Sequence, residues 1–130
     1  MSISILVVDD EPDFIETMVK RFTFRKMPVT AASSGIAALK ILETETFDVV
    51  IMDVRMPGKD GIETLKEIKK RYPLTEVIML TGHASVESGM RGMSLGAYDY
   101  VLKPVDFDEL LEKVRKAHES KRLNEGRSAT

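Results

Sequence analysis

The sequence predicts an α/β fold: a five-stranded parallel sheet of order 2-1-3-4-5, with helices packed on both faces. Three observations predict it. Short β-branched apolar runs alternate with helical apolar stripes from one end of the chain to the other, which is the pattern of strand–helix–strand crossovers. The first, third and fourth runs are the most continuously apolar, as strands buried on both faces must be, and so belong at the sheet's centre. The second and fifth are more polar and belong at its edges.

The elements follow in order. Residues 3–8 form a short apolar strand, broken by Asp10-Glu11-Pro12, where Pro12 suits a first helical turn. Ile15, Met18, Val19 and Phe22 give the first helix its apolar stripe. Residues 29–32 make a weaker strand, and Ile36, Leu39 and Leu42 mark the second helix. Residues 49–52 are the third strand, followed by the loop Met56-Pro57-Gly58-Lys59-Asp60-Gly61. Ile62, Leu65 and Ile68 line a third helix that stops near Tyr72-Pro73. Residues 77–80 are the fourth strand. Val86, Met90 and Met93 suggest a fourth helix, weakened by Gly89, Gly92 and Ser94. Residues 98–102 are the fifth strand, and Phe107, Leu110, Leu111 and Val114 the last helix. A single domain is expected over residues 1–122. The polar stretch 123–130 is read as a frayed tail or the start of a linker.

Composition bounds the chemistry. Of 130 residues, 43% are hydrophobic and 31% charged, enough apolar material for a core without staples. With no cysteine, thiolate metal sites and disulfides are excluded. No apolar run approaches the roughly 20 residues needed to span a bilayer, and no basic-then-apolar start suggests a secretion signal. The expectation is a cytoplasmic protein without a membrane partner. A net charge of -2 argues against nucleic-acid binding by this segment.

In open parallel sheets, sites form at the carboxyl ends of the strands. Strand one ends in Asp9-Asp10, strand three in Asp53, strand four in Thr81, and strand five in Lys103-Pro104. Singly, each has an ordinary reading: Asp10 a helix cap, Asp53 a turn residue, Thr81 a turn hydroxyl, Lys103 solvated surface, Tyr100 a packing residue. Together, polar groups at four strand ends are hard to assign to coincidence. Three carboxylates held close repel one another and raise each other's pKa, a conflict that a hard cation relieves. Mg²⁺ favours a few carboxylates plus waters and phosphate oxygens. Lys103 offers a compact positive charge for a phosphate oxygen, and Thr81 a hydroxyl. A carboxylate nucleophile beside a metal and a lysine can form an aspartyl phosphate.

These pieces carry a resemblance. Ile5-Leu6-Val7-Val8-Asp9-Asp10-Glu11, Val50-Ile51-Met52-Asp53-Val54-Arg55-Met56-Pro57-Gly58 with Asp60-Gly61, Met79-Leu80-Thr81-Gly82 and Gly96-Ala97-Tyr98-Asp99-Tyr100-Val101-Leu102-Lys103-Pro104 make the chain similar to the receiver domains of two-component response regulators. The likeness extends to about Lys121. It implies a flavodoxin-like (βα)5 doubly wound sandwich and a phosphorylation-dependent switch that catalyses its own phosphorylation and dephosphorylation but is no enzyme in the ordinary sense. Asp53 would be the phosphoryl acceptor. Asp10, Asp53 and the backbone carbonyl of Arg55 would hold Mg²⁺, with Asp9 acting through a metal-bound water. Lys103 would contact the phosphoryl group across a cis Lys103-Pro104 bond. Thr81 would swing toward the phosphoryl oxygen and Tyr100 would follow it inward. The implied partners are a sensor histidine kinase or phosphotransfer protein, and an effector domain or separate protein reached through the fourth helix, fifth strand and fifth helix, with homodimerisation on phosphorylation. Gly82 stands where alanine is frequent, which would loosen that loop.

Two other classes fit less well. Phosphatases and mutases with an aspartate nucleophile usually carry a second aspartate two residues later, where this chain has Arg55. A flavin site would need a phosphate-cradling loop after strand one, and Asp10-Glu11-Pro12-Asp13 would repel a phosphate. Arg55 and His83, two residues past Asp53 and Thr81, are expected at the mouth of the site. There Arg55 would shield the phosphoryl group from water and His83 would affect its lifetime. Residues 81–85 weakly resemble receivers attached to ATPase-type transcription activators. The cognate kinase and the output are not legible.

Overall fold

A computed structural model describes residues 2–55, 61–82 and 86–128. Strands β1 (Ile5–Val8), β2 (Val29–Ala32), β3 (Val49–Asp53), β4 (Glu76–Thr81) and β5 (Asp99–Leu102) alternate with helices α1 (Pro12–Phe24), α2 (Gly35–Thr44), α3 (Gly61–Arg71), α4 (Val86–Ser94) and α5 (Phe107–Ser128). The sheet runs β2-β1-β3-β4-β5, and every neighbouring pair is parallel. The fold is therefore the flavodoxin-like sandwich expected. β1, β3 and β4 are buried along their whole length, while β2 and β5 are partly exposed.

Alternation of side chains along the strands divides the core into two layers. On one face Leu6, Val8, Val50, Met52, Val77 and Met79 pack against Leu39 and Leu42 of α2 and Leu65 and Ile68 of α3. On the other, Ile5, Val7, Ile51 and Ile78 meet Met18 and Phe22 of α1 and Leu110 and Val114 of α5. Phe22 and Phe107 meet edge to face, 5.0 Å between centroids, and lock α1 to the start of α5.

Local signals set the helix ends. Ser34 caps α2 by accepting the Ala37 N–H at 3.1 Å. Gly96 takes the left-handed conformation that follows α4, at φ 107°. Gly92 is more than a weak helix former: a Cβ there would lie 3.3 Å from Met79 Cγ and 3.6 Å from Leu65 Cδ2, so its absence lets α4 approach β4 and α3 closely.

The tail differs from expectation. Rather than fraying after 122, α5 continues to Ser128. Apolar periodicity stops at Ala117, and the continuation is instead carried by charge pairs one turn apart, such as Lys121 with Glu125 at 3.0 Å. The helix is also tied to the sheet's amino end: Ser120 donates to Glu76 Oε2 at 2.9 Å, and Lys121 pairs with Asp48 at 3.3 Å. None of the described helices is long and apolar enough to cross a membrane.

Candidate functional site

Asp9 follows β1 and Asp53 ends β3, and the parallel register that pairs Val8 with Met52 brings them side by side. Thr81 ends β4 beside Leu102, one residue before Lys103. The central strands need an apolar run to be buried, and that run ends where the polar residues start. So the transition from core to site is one residue wide. Asp9 is fully buried and Asp53 is 9% exposed, whereas Asp10 is exposed at the rim.

Carboxylate oxygens of Asp9, Asp10 and Asp53 lie within 4.8 Å of one another. Lys103 reaches among them: its Nζ is 2.8 Å from Asp9 Oδ2, 3.2 Å from Asp53 Oδ2 and 3.2 Å from Glu11 Oε1. The remaining oxygens of the two buried carboxylates are held by backbone. Asp9 Oδ1 accepts the Glu11 N–H at 2.9 Å, and Asp53 Oδ1 accepts the Arg55 N–H at 3.1 Å. The Lys103-Pro104 bond is cis, as the resemblance implies.

Burial pushes the Asp53 carboxyl above its ordinary range. The Arg55 N–H and the Lys103 charge oppose this, and the Asp9 charge adds to it. For Lys103, burial alone would favour the neutral amine, but the hydrogen bond to Asp9 and the charges of Asp53 and Asp9 outweigh it and raise its pKa. The ammonium therefore stays charged. One lysine beside three carboxylates leaves a negative excess, with exposed Asp10 on the open side. Hard oxygen donors of this number and charge fit a divalent cation such as Mg²⁺.

The Thr81 side chain is fully buried and donates to the Gly82 carbonyl at 3.1 Å. Tyr100 is partly buried against the core layer that holds α2 and α3, and its carbonyl accepts from Lys113 of α5 at 3.0 Å. Arg55 is exposed. His83 lies outside the described residues.

The roles of three residues were missed in the sequence. Glu11 is a third carboxylate partner of Lys103, and Phe14 lies beneath the same ammonium, 4.5 Å from ring centroid to Nζ. The adjacent Asp9-Asp10-Glu11 run carried a signal for the first, whereas a partly buried aromatic one helical turn on carried none for the second. Gly61 is the third: its N–H donates to the Val54 carbonyl at 3.0 Å, and a Cβ there would collide with the carbonyl oxygens of Asp53 and Val54.

Known proteins resemble this chain in sequence and in fold. Residues 5–115 match the response regulator receiver domain family. The chain is 40% identical over 113 residues to regulatory protein AtoC of Escherichia coli, covering 87% of this chain and 24% of that protein. It is 37% identical over 126 residues to transcriptional regulatory protein ZraR of Klebsiella oxytoca, covering 95% of this chain and 28% of that protein. The chain thus spans about a quarter of the length of these relatives. Among solved structures, a response regulator receiver domain protein from Clostridium thermocellum superposes with a TM-score of 0.89 at 34% identity, covering 95% of this chain and 98% of that one. NtrX from Brucella abortus superposes with a TM-score of 0.92 at 30% identity, covering 99% of this chain and 29% of that one. With the family matched over most of its length and the acidic cluster and lysine at its strand ends, this chain belongs to the response regulator receiver domain family.

Proposed function

We propose that this domain is a phosphorylation switch in which Asp53 accepts a phosphoryl group from a histidine kinase, a phosphotransfer protein or a small acyl phosphate. The observation that carries the reading is Lys103 Nζ, held between buried Asp9 and Asp53 at 2.8 and 3.2 Å. It is a fixed charge beside a buried carboxylate at the carboxyl end of β3.

In the transfer, an Asp53 carboxylate oxygen forms the new bond to phosphorus while the bond from phosphorus to the donor breaks. The bonding pair leaves with the donor's nitrogen or carboxylate oxygen. An imidazole leaving group takes up one proton, and an acetate leaves as the anion. Arg55 N–H and Lys103 orient the acceptor before the transfer, and Lys103 then donates to a phosphoryl oxygen. Asp10, Asp53 and the Arg55 carbonyl would hold Mg²⁺ directly, with Asp9 acting through water. The metal, when bound, offsets the negative charge that carboxylates and phosphoryl group bring together. The Arg55 side chain, exposed at the mouth, would screen the phosphoryl group from attacking water. The domain modifies itself once per signal and so acts as a switch, not as a turnover enzyme.

The output reading follows from the relatives, one named as a transcriptional regulatory protein and the other as a regulatory protein, of whose length the matched part is about a quarter. The domain would regulate an attached effector or a separate partner in the cytoplasm through α4, β5 and α5, with homodimerisation as one route. The test is direct. Acetyl phosphate and Mg²⁺ should add one phosphoryl group by intact mass, and Asp53→Asn should abolish the gain. Equal modification of Asp53→Asn would sink the assignment.

A further inference from the structure

Lys103 has more partners than the proposed transfer uses. An ammonium carries three N–H donors, and all three are engaged: Asp9 Oδ2 at 2.8 Å, Asp53 Oδ2 at 3.2 Å and Glu11 Oε1 at 3.2 Å. The Phe14 ring lies against the same ammonium, its centroid 4.5 Å from Nζ, within cation–π range. No donor is left for a phosphoryl oxygen, so one of the three bonds must open when that group arrives.

The three bonds differ in what opening them would cost. The Asp9 side chain is fully buried, and leaving a buried charge without its partner is expensive. The Asp53 bond keeps the ammonium beside the carboxylate that reacts. The Glu11 side chain is 66% exposed, so water can replace its ammonium partner with little loss. Glu11 is the partner that yields.

We propose that Glu11 is a positioning residue for Lys103, holding over Phe14 the one ammonium hydrogen that a phosphoryl oxygen on Asp53 later takes. The inference rests on the reading of Asp53 as acceptor. Its consequence is a competition. In the unmodified domain Glu11 keeps Lys103 in register with Asp9 and Asp53, and it slows capture of the phosphodonor because its bond must first be released.

The experiment compares the full chain with Glu11→Gln, which keeps the shape and removes the charge, and Glu11→Asp, which keeps the charge and shortens the reach. Phosphorylation of Asp53 is followed by intact mass across a series of acetyl phosphate concentrations with Mg²⁺. Both variants should raise the second-order rate constant by about two- to fivefold, the scale of one exposed ion pair. In metal-free protein with ¹⁵N-labelled lysine, the Lys103 ammonium hydrogens should exchange faster with water in both variants. A rate in Glu11→Gln at or below wild type overturns the proposal. So does a Glu11→Asp protein that matches wild type while Glu11→Gln is faster, since the effect would then be a diffuse repulsion of the anionic donor. If the wild type itself gains no phosphoryl group, the acceptor reading fails and the proposal falls with it. If the wild type is modified and all rates coincide, only the role of Glu11 fails.

Discussion

Gly61 shows how narrow the tolerances around Asp53 are. Its backbone returns directly under the end of β3, where a Cβ would come 2.8 Å from the Val54 carbonyl oxygen and closer still to that of Asp53. No side chain can be added without moving one backbone or the other. Gly61→Ala should therefore cost about 1–3 kcal/mol in urea unfolding, as overpacking does, and should slow Asp53 phosphorylation by displacing the carboxylate. Gly82 is the contrast. A Cβ there meets nothing within 4 Å, so Gly82→Ala should be neutral or gain up to about 1 kcal/mol by stiffening the unfolded chain. Equal urea midpoints for the two variants would contradict the close approach at Gly61. In the sequence both glycines read as loop residues, because nothing in the residue pattern shows that the chain at Gly61 turns back against the backbone of Asp53 and Val54. Asp9, Asp10, Asp53, Thr81 and Lys103 were legible for the opposite reason: each stands where an apolar strand run stops.

At the scale of elements, the longest helix had the least legible end. The apolar stripe of α5 fades after Ala117, so periodicity could not follow it further. The helix persists through charge pairs and through its polar attachment to β3 and β4. Asp48 anchors that attachment, accepting from the Ser4 N–H at 2.9 Å and facing Lys121 at 3.3 Å and His118 at 3.9 Å. Burial pushes the Asp48 carboxyl up, but the Ser4 hydrogen bond, Lys121 and His118 together outweigh it and hold the pKa below the ordinary value. A carboxyl lowered in the folded state stabilises the fold above its unfolded pKa, about 3.9. That contribution fades as pH falls through the lower folded value. Asp48→Asn should therefore cost about 1–2 kcal/mol near neutral pH, the scale of a charge-assisted hydrogen bond. The gap to wild type should hold down to about pH 5 and close below about pH 4. Urea denaturation at a series of pH values measures this, and a gap that widens in acid would reverse the sign and refute it.

For the whole molecule, strand order and the two-layered core were readable from alternation and from the grading of polarity across five runs. Coupling between the site and the α4–β5–α5 face was legible only as an implication of resemblance, because it depends on where two hydroxyl-bearing side chains point. Thr81 now spends its hydrogen on the Gly82 carbonyl, and Tyr100 packs half-buried on the α2 and α3 side. A phosphoryl oxygen on Asp53 would offer Thr81 a better acceptor and shift the population toward an arrangement with Tyr100 turned further in. With Mg²⁺ and beryllofluoride, NMR shifts should extend from Asp53 through Thr81 to Tyr100 and to Met90, which is 58% exposed on α4. Shifts confined to the neighbours of Asp53, with Tyr100 and Met90 unmoved, would dismiss the coupling.

The fastening of α5 makes it a cantilever. Its root is built in along the sheet from Leu110 to Ala117 and bolted at Ser120 and Lys121, and the seven residues from Arg122 to Ser128 overhang the sheet's amino end. At 1.5 Å per residue the overhang is about 10 Å. A beam held this way cannot pivot independently of its mounting. Its direction is set by Glu76 and Asp48, one at the start of β4 and the other just ahead of β3, so the overhang points wherever the two central strands are aimed.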